Sequence, residues 1–172
     1  MTLTRKVLIV GEQPTERYRF ATQPALGGQC ARRLVQLMEL RDEAHLRELF
    51  DVGNLLVQPF GYWPLECASR PQLEFSRILT NKSQADFLVL CGPRVQHAFQ
   101  VEGDCEIVPV PMLTRPTIAA CIPHPSGRVR AWKDEATVAR ARIVLKMARM
   151  HAEGRPYICT IHKGAPLERC GC

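Results

Sequence analysis

No apolar run in this chain approaches the roughly 20 residues that a membrane-spanning helix needs. The first ten residues, Met1 to Val10, lack the long apolar stretch of a secretory signal. Together these absences lead to the expectation of a cytoplasmic protein with no membrane contact. Internal repeats and low-complexity tracts are missing as well, which sets aside solenoids and linker-like chains. No charge of one sign predominates strongly: 23 Lys and Arg stand against 17 Asp and Glu, for a net charge of +6. Arginine makes up most of the basic set and suits bidentate phosphate contacts. So modest an excess fits a nucleic-acid partner and fits an ordinary solvated surface equally well.

What is present is the make-up of a folded domain. The 172 residues are 46% hydrophobic and 23% charged, enough for one sizeable core. One α/β domain over 1–152 is expected, as a monomer, followed by a Cys-rich tail over 153–172. Eight cysteines are many for a reducing compartment. Cys91 and Cys121 lie in apolar runs, where a free thiol behaves as a small hydrophobe. Cys159, His162, Cys170 and Cys172 crowd the tail, and thiolates with an imidazole suit tetrahedral zinc. The spacing is not that of a standard finger, so a structural zinc and a terminus without metal both remain open.

Apolar runs alternate with helical patterns along the chain. Lys6 to Val10 reads as a strand buried on both faces, stopped by Gly11 and Pro14. Thr15 to Pro24 is a polar loop, and Ala25 to Gly28 leads into a helix. Leu34, Leu37 and Met38 supply the apolar face of that helix, while Arg32, Arg33 and Gln36 are expected to face out. The helical pattern resumes through Asp42 to Phe50. Gly53 to Val57 reads as the second strand, emptying into an aromatic, proline-broken loop over 58–64. Pro71 to Leu79 looks helical, with Pro71 in the first turn. Asp86 to Gly92 is the third strand, and a short helix through Phe99 follows Pro93. Glu106 to Val110 is expected at a sheet edge, because Pro109 cannot donate to a central ladder. Thr117 to Ile122 is the last strand. The final helix, about Asp134 to His151, places Val138, Ala141, Leu145 and Ala148 on one face. This alternation predicts a three-layer αβα sandwich around a largely parallel, four-stranded sheet.

In such a fold the loops after the strands gather on one edge. They bring Glu12 and Gln13, Asn54, and the stretch Cys121-Ile122-Pro123-His124-Pro125-Ser126-Gly127-Arg128-Val129-Arg130-Ala131-Trp132 toward one cleft. That last stretch offers an imidazole, a hydroxyl, two arginines and an indole. Each residue also has a plainer reading. Glu12 can cap a helix or pair with a nearby arginine, Asn54 can satisfy turn backbone, and His124 can be a passive loop residue.

At this point the chain resembles the uracil-DNA glycosylase superfamily. The resemblance covers roughly Val7 to Met150. In that superfamily a motif such as GQDPY, GEAPG or GINPG follows the first strand, and here it reads Gly11-Glu12-Gln13-Pro14-Thr15. An asparagine borders the next strand, matched by Asn54. A closing motif such as HPSPL, HPAAL or NPSGL is matched by His124-Pro125-Ser126-Gly127-Arg128. There are departures: Gln13 stands where Asp or Asn is often found, and Ala25 or Leu26 where a base-stacking phenylalanine is usual. Phe20 or Tyr18 would then stack on the base, and Arg128 or Val129 takes the place of the intercalating leucine.

The resemblance implies hydrolysis of the N-glycosidic bond of a deaminated or modified base in DNA, with no cofactor required for catalysis. Glu12 would orient or activate water and His124 would donate to the departing base. Gly11, Gln13, Phe20 and Asn54 would hold the base. Ser126, Gly127, Arg128 and Arg130 would hold the DNA strand, single or double. The alternative is a binding module on the same fold that holds a nucleotide or modified DNA without hydrolysis.

Overall fold

A computed structural model describes residues 6–12, 26–55, 84–111, 113, 115–126 and 129–157. The chain forms an α/β fold around a mostly parallel central sheet flanked by helices. Its described elements are β1 (Val7–Gly11), α1 (Gln29–Leu37), α2 (Glu43–Leu49), β2 (Asp51–Asn54) and β3 (Phe87–Cys91). They continue with α3 (Pro93–Ala98), β4 (Glu106–Pro109), β5 (Ile118–Ile122), a 3-10 turn (Arg130–Lys133) and α4 (Glu135–Ala152).

The strand order is β2-β1-β3-β5-β4. The first four run parallel, and β4 pairs antiparallel with β5 at the edge. Among the described residues the sheet therefore has five strands where four were expected. The Pro109 segment takes the edge place expected of it, because Pro109 has no N–H to give a second neighbour. The other edge corrects the second strand as well: it spans Asp51–Asn54, upstream of the expected Gly53 to Val57. An edge strand has a neighbour on one side only, so its residues are half-buried or exposed and send no apolar signal. Leu55 marks the strand's exit, where its N–H donates to Gly11 O at 2.7 Å.

β1, β3 and β5 are buried at every position, as central parallel strands must be. Period-two alternation sends their side chains to two separate cores. Val7, Ile9, Phe87, Val89, Ala120 and Ile122 pack with Leu34 and Leu37 of α1, Leu46 of α2, and Ala141, Leu145 and Ala148 of α4. Leu8, Val10, Leu88, Leu90, Ala119 and Cys121 pack on the other face with Val95 and Ala98 of α3 and with Phe99. Cys91 is buried in the first core and Cys121 in the second, both as small hydrophobes. Burial is the main cause that pushes the Cys121 thiol up to about 12, with Glu106 and Cys105 adding to it, and burial raises Cys91 still further.

Helix starts follow their caps. The Asp134 carboxylate accepts from Thr137 N at 2.9 Å and opens α4, and Asp42 accepts from His45 N at 2.8 Å to open α2. After α4 the chain stays on the domain as far as it is described. Tyr157 is buried in the first core, and its hydroxyl lies 2.9 Å from His151 Nδ1. His151 Nε2 lies 2.8 Å from Asp86 at the entry to β3. The expected helix over Pro71 to Leu79 falls outside the described residues. Among the described residues, no helix is long and apolar enough to cross a membrane.

Candidate functional site

Four parallel strands end on the same edge of the sheet, and each delivers a polar group there. In sheet order these are Asn54 at the end of β2, Glu12 after β1, Arg94 after β3 and His124 after β5. Two glycines let them approach. Gly11 is paired in register with Asn54. A Cβ at Gly11 would lie 2.6 Å from Asn54 Oδ1 and 2.7 Å from Leu26 Cδ2, so only glycine lets the carboxamide and the Leu26 side chain close over β1. Gly92 has φ 98° and ψ 159°, a region essentially reserved for glycine. A Cβ there would lie 3.1 Å from His124 Cβ. The Gly92 N–H donates to Ile122 O at 2.8 Å, holding β3 against the start of the His124 loop.

Glu12 is ion-paired. Arg94 Nη1 donates to Glu12 Oε1 at 3.0 Å, with the two side chains only 26% and 16% exposed. The plainer reading of Glu12, a carboxylate held by an arginine, is therefore realised. Arg94 went unnoticed in the sequence because it follows Gly92-Pro93, where only a strand stop and a helix start are legible. Its signal was position: it is the first charged residue past the end of the central strand.

His124 is half-buried and its ring is oriented. The backbone N–H of Ser126 donates to His124 Nδ1 at 3.2 Å. A backbone N–H can only donate, so Nδ1 is the unprotonated nitrogen and the neutral ring carries its proton on Nε2. Burial pushes the imidazole below the ordinary histidine range, and the Glu12 carboxylate opposes that shift. The ring is thus a neutral N–H donor at the strand-end edge, within the field of Glu12.

The loop that carries His124 is held from outside. Trp132 Nε1 donates to His124 O at 2.7 Å. Arg33 Nη1 donates to Ser126 O at 2.8 Å and to Pro125 O at 3.3 Å. The Arg33 guanidinium also lies over the Trp132 ring, 5.3 Å from its centroid. Arg33 therefore does not face out as expected. It is half-buried, whereas Arg32 and Gln36 are exposed. The reason is helical spacing: Arg33 stands three residues after Cys30 and four before Leu37, on the flank of the apolar stripe.

Of the expected site residues, Gly11, Glu12, Asn54 and His124 come to the one edge, with Ser126 and exposed Arg130 on the loop beyond it. Gln13, Phe20, Tyr18, Gly127 and Arg128 fall outside the described residues. So do the candidate zinc ligands Cys159, His162, Cys170 and Cys172. Among the described residues, no group of three or more His, Cys, Asp or Glu side chains could hold a metal ion. Compared with known proteins, the chain matches no protein-family model and no curated protein.

Proposed function

We propose that this protein is a DNA glycosylase of the uracil-DNA glycosylase type, which hydrolyses the N-glycosidic bond of a deaminated or modified base. The single observation that carries the reading is the state of His124. It is a neutral imidazole with its proton on Nε2, placed at the strand-end edge with the Glu12 carboxylate. Breaking an N-glycosidic bond leaves electrons on the departing base and positive charge on the sugar. A neutral N–H donor suits the first, because it stabilises an anionic oxygen without having to surrender a proton. A preorganised donor of that kind is worth about 3–4 kcal/mol.

In this scheme water adds to C1′ of the sugar as the C1′–N bond breaks, and the bonding pair leaves with the base. His124 Nε2–H donates to the base oxygen that takes up the charge. Glu12, fixed by Arg94, orients the water, accepts its proton and offsets the charge on the sugar. Asn54 reads the base edge, since one carboxamide provides both a donor and an acceptor. Ser126, Gly127, Arg128 and Arg130 grip the strand while the base is drawn out, a step that costs a few kcal/mol.

The Arg94–Glu12 pair favours a second reading, a module that binds a nucleotide or modified DNA without hydrolysis. A carboxylate already engaged by a guanidinium has fewer lone pairs left to hold a water. The two readings separate in one assay. Single- and double-stranded oligonucleotides carrying a panel of deaminated and modified bases are incubated with the protein, then cleaved at abasic sites with alkali. Strand scission at one member of the panel, lost in Glu12→Gln and His124→Ala, is the expected result. Binding without scission across the panel would leave the module as the correct reading.

A further inference from the structure

We infer that Arg33 and Trp132 form a clamp that fixes the His124 loop and thereby selects the Nε2–H tautomer of His124. Three consecutive carbonyls carry the inference. His124 O accepts from Trp132 Nε1, while Pro125 O and Ser126 O both accept from Arg33 Nη1. Three neighbouring peptide units are thus held by two side chains, one from helix α1 and one from the 3-10 turn before α4. Those side chains are held to each other, guanidinium over indole. Within the loop, Val129 N donates to Ser126 O and Trp132 N to Val129 O, so the indole is anchored to the segment it clamps.

The consequence reaches the imidazole through one peptide. With the Pro125 and Ser126 carbonyls drawn toward Arg33, the Ser126 N–H is left pointing at His124 Nδ1. That fixed donor excludes a proton from Nδ1 and leaves it on Nε2. A loop free to turn this peptide would let both tautomers form, and a ring with its proton on Nδ1 has no donor to present on Nε2. Arg33 and Trp132 are therefore positioning residues acting through the Ser126 amide. Their effect on cleavage rests on the glycosylase reading; their effect on the tautomer does not.

The test uses the whole protein and two substitutions, Arg33→Met, which keeps length and loses the donors, and Trp132→Phe, which keeps a ring and loses the N–H. The first readout is the imidazole ¹⁵N–¹H correlation spectrum of the free protein, which distinguishes Nε2–H from Nδ1–H directly. The wild type is expected to show Nε2–H alone, and each variant a mixture of the two. Arg33→Lys, which can still donate to Ser126 O, is expected to restore the single tautomer. The second readout is single-turnover cleavage, where either variant should lose roughly tenfold or more at saturating enzyme with DNA affinity unchanged. A pure Nε2–H spectrum in the Arg33→Met, Trp132→Phe double variant would overturn the clamp. So would a loss confined to DNA affinity, which would make Arg33 a strand contact. A wild type that cleaves nothing would overturn the glycosylase reading and leave the tautomer result standing.

Discussion

His124 and Arg128 lie four positions apart in the sequence, and the proposed chemistry gives them different work. In the proposed scheme His124 donates to the departing base, so His124→Ala should lower the single-turnover rate about 100-fold or more while DNA affinity is largely kept. Arg128→Ala should weaken binding and leave the rate at saturating enzyme near its original value. Single-turnover kinetics over a range of enzyme concentrations separates the two outcomes, and matching affinity-only losses would remove His124 from the chemistry. The protonation of His124 gives a second prediction. Burial holds the folded imidazole below the ordinary histidine range, with Glu12 opposing, while the unfolded chain takes up the proton near pH 6.5. Between those two values the unfolded state binds more protons, so stability rises with pH across the window and is lost as pH falls through it. Urea unfolding from pH 7 downward should show this loss, and His124→Asn should make it shallower. Cleavage should persist as pH falls through about 6.5 and decline only below it, because the neutral donor is kept. A rate that titrates at the ordinary histidine value would contradict a neutral imidazole.

At the scale of elements, the site depends on strand ends meeting closely. Gly92 joins β3 to α3 at φ 98°, and His124 Cβ would stand 3.1 Å from any Cβ added there. Gly92→Ala should therefore cost about 1–3 kcal/mol from backbone strain alone. It should also push His124 off its position, so cleavage should fall further than stability does. Urea unfolding and single-turnover rates on the same variant check both parts, and an alanine with unchanged stability and rate would show that the two strand ends are not so tightly apposed. The α1 helix contributes in a way its apolar stripe does not announce. Its buried face anchors it to the sheet, and that anchoring places Arg33 on the flank, where it reaches the loop after β5.

For the molecule as a whole, the charge of +6 matters if the partner is DNA. Phosphate contacts release counterions, so log affinity against log salt should fall with a slope of about −0.7 to −0.9 per contact. Titration between about 50 and 200 mM salt measures it, and an affinity indifferent to salt would point to a small uncharged ligand in place of a strand. The two cores make the rest of the described fold a scaffold for one edge. Helices α1, α2 and α4 cover one face of the sheet and α3 the other, so the C-terminal strand ends are the places where loops carry polar groups outward.

Periodicity and composition by themselves determined the α/β class, the three central strands, the presence of α1 and the approximate extents of α2 and α4. Burial on both faces leaves a continuous apolar run, and burial on one face leaves a stripe; both are local patterns. Glu12 and His124 were legible as strand-end residues for the same reason, since each follows an apolar run, whereas Asn54 was expected near the start of its strand and stands at the end of it. Edge strand β2 was misplaced because an edge leaves residues half-exposed and without a pattern. Tertiary structure alone decided which groups pair across the sheet. Nothing local in the sequence joins Arg94 to Glu12, 82 residues apart, or Arg33 to Ser126, 93 residues apart. Those contacts exist because β1 and β3 are neighbours and α1 crosses near the exit of β5, and only the folded sheet brings such distant residues within a hydrogen bond's length.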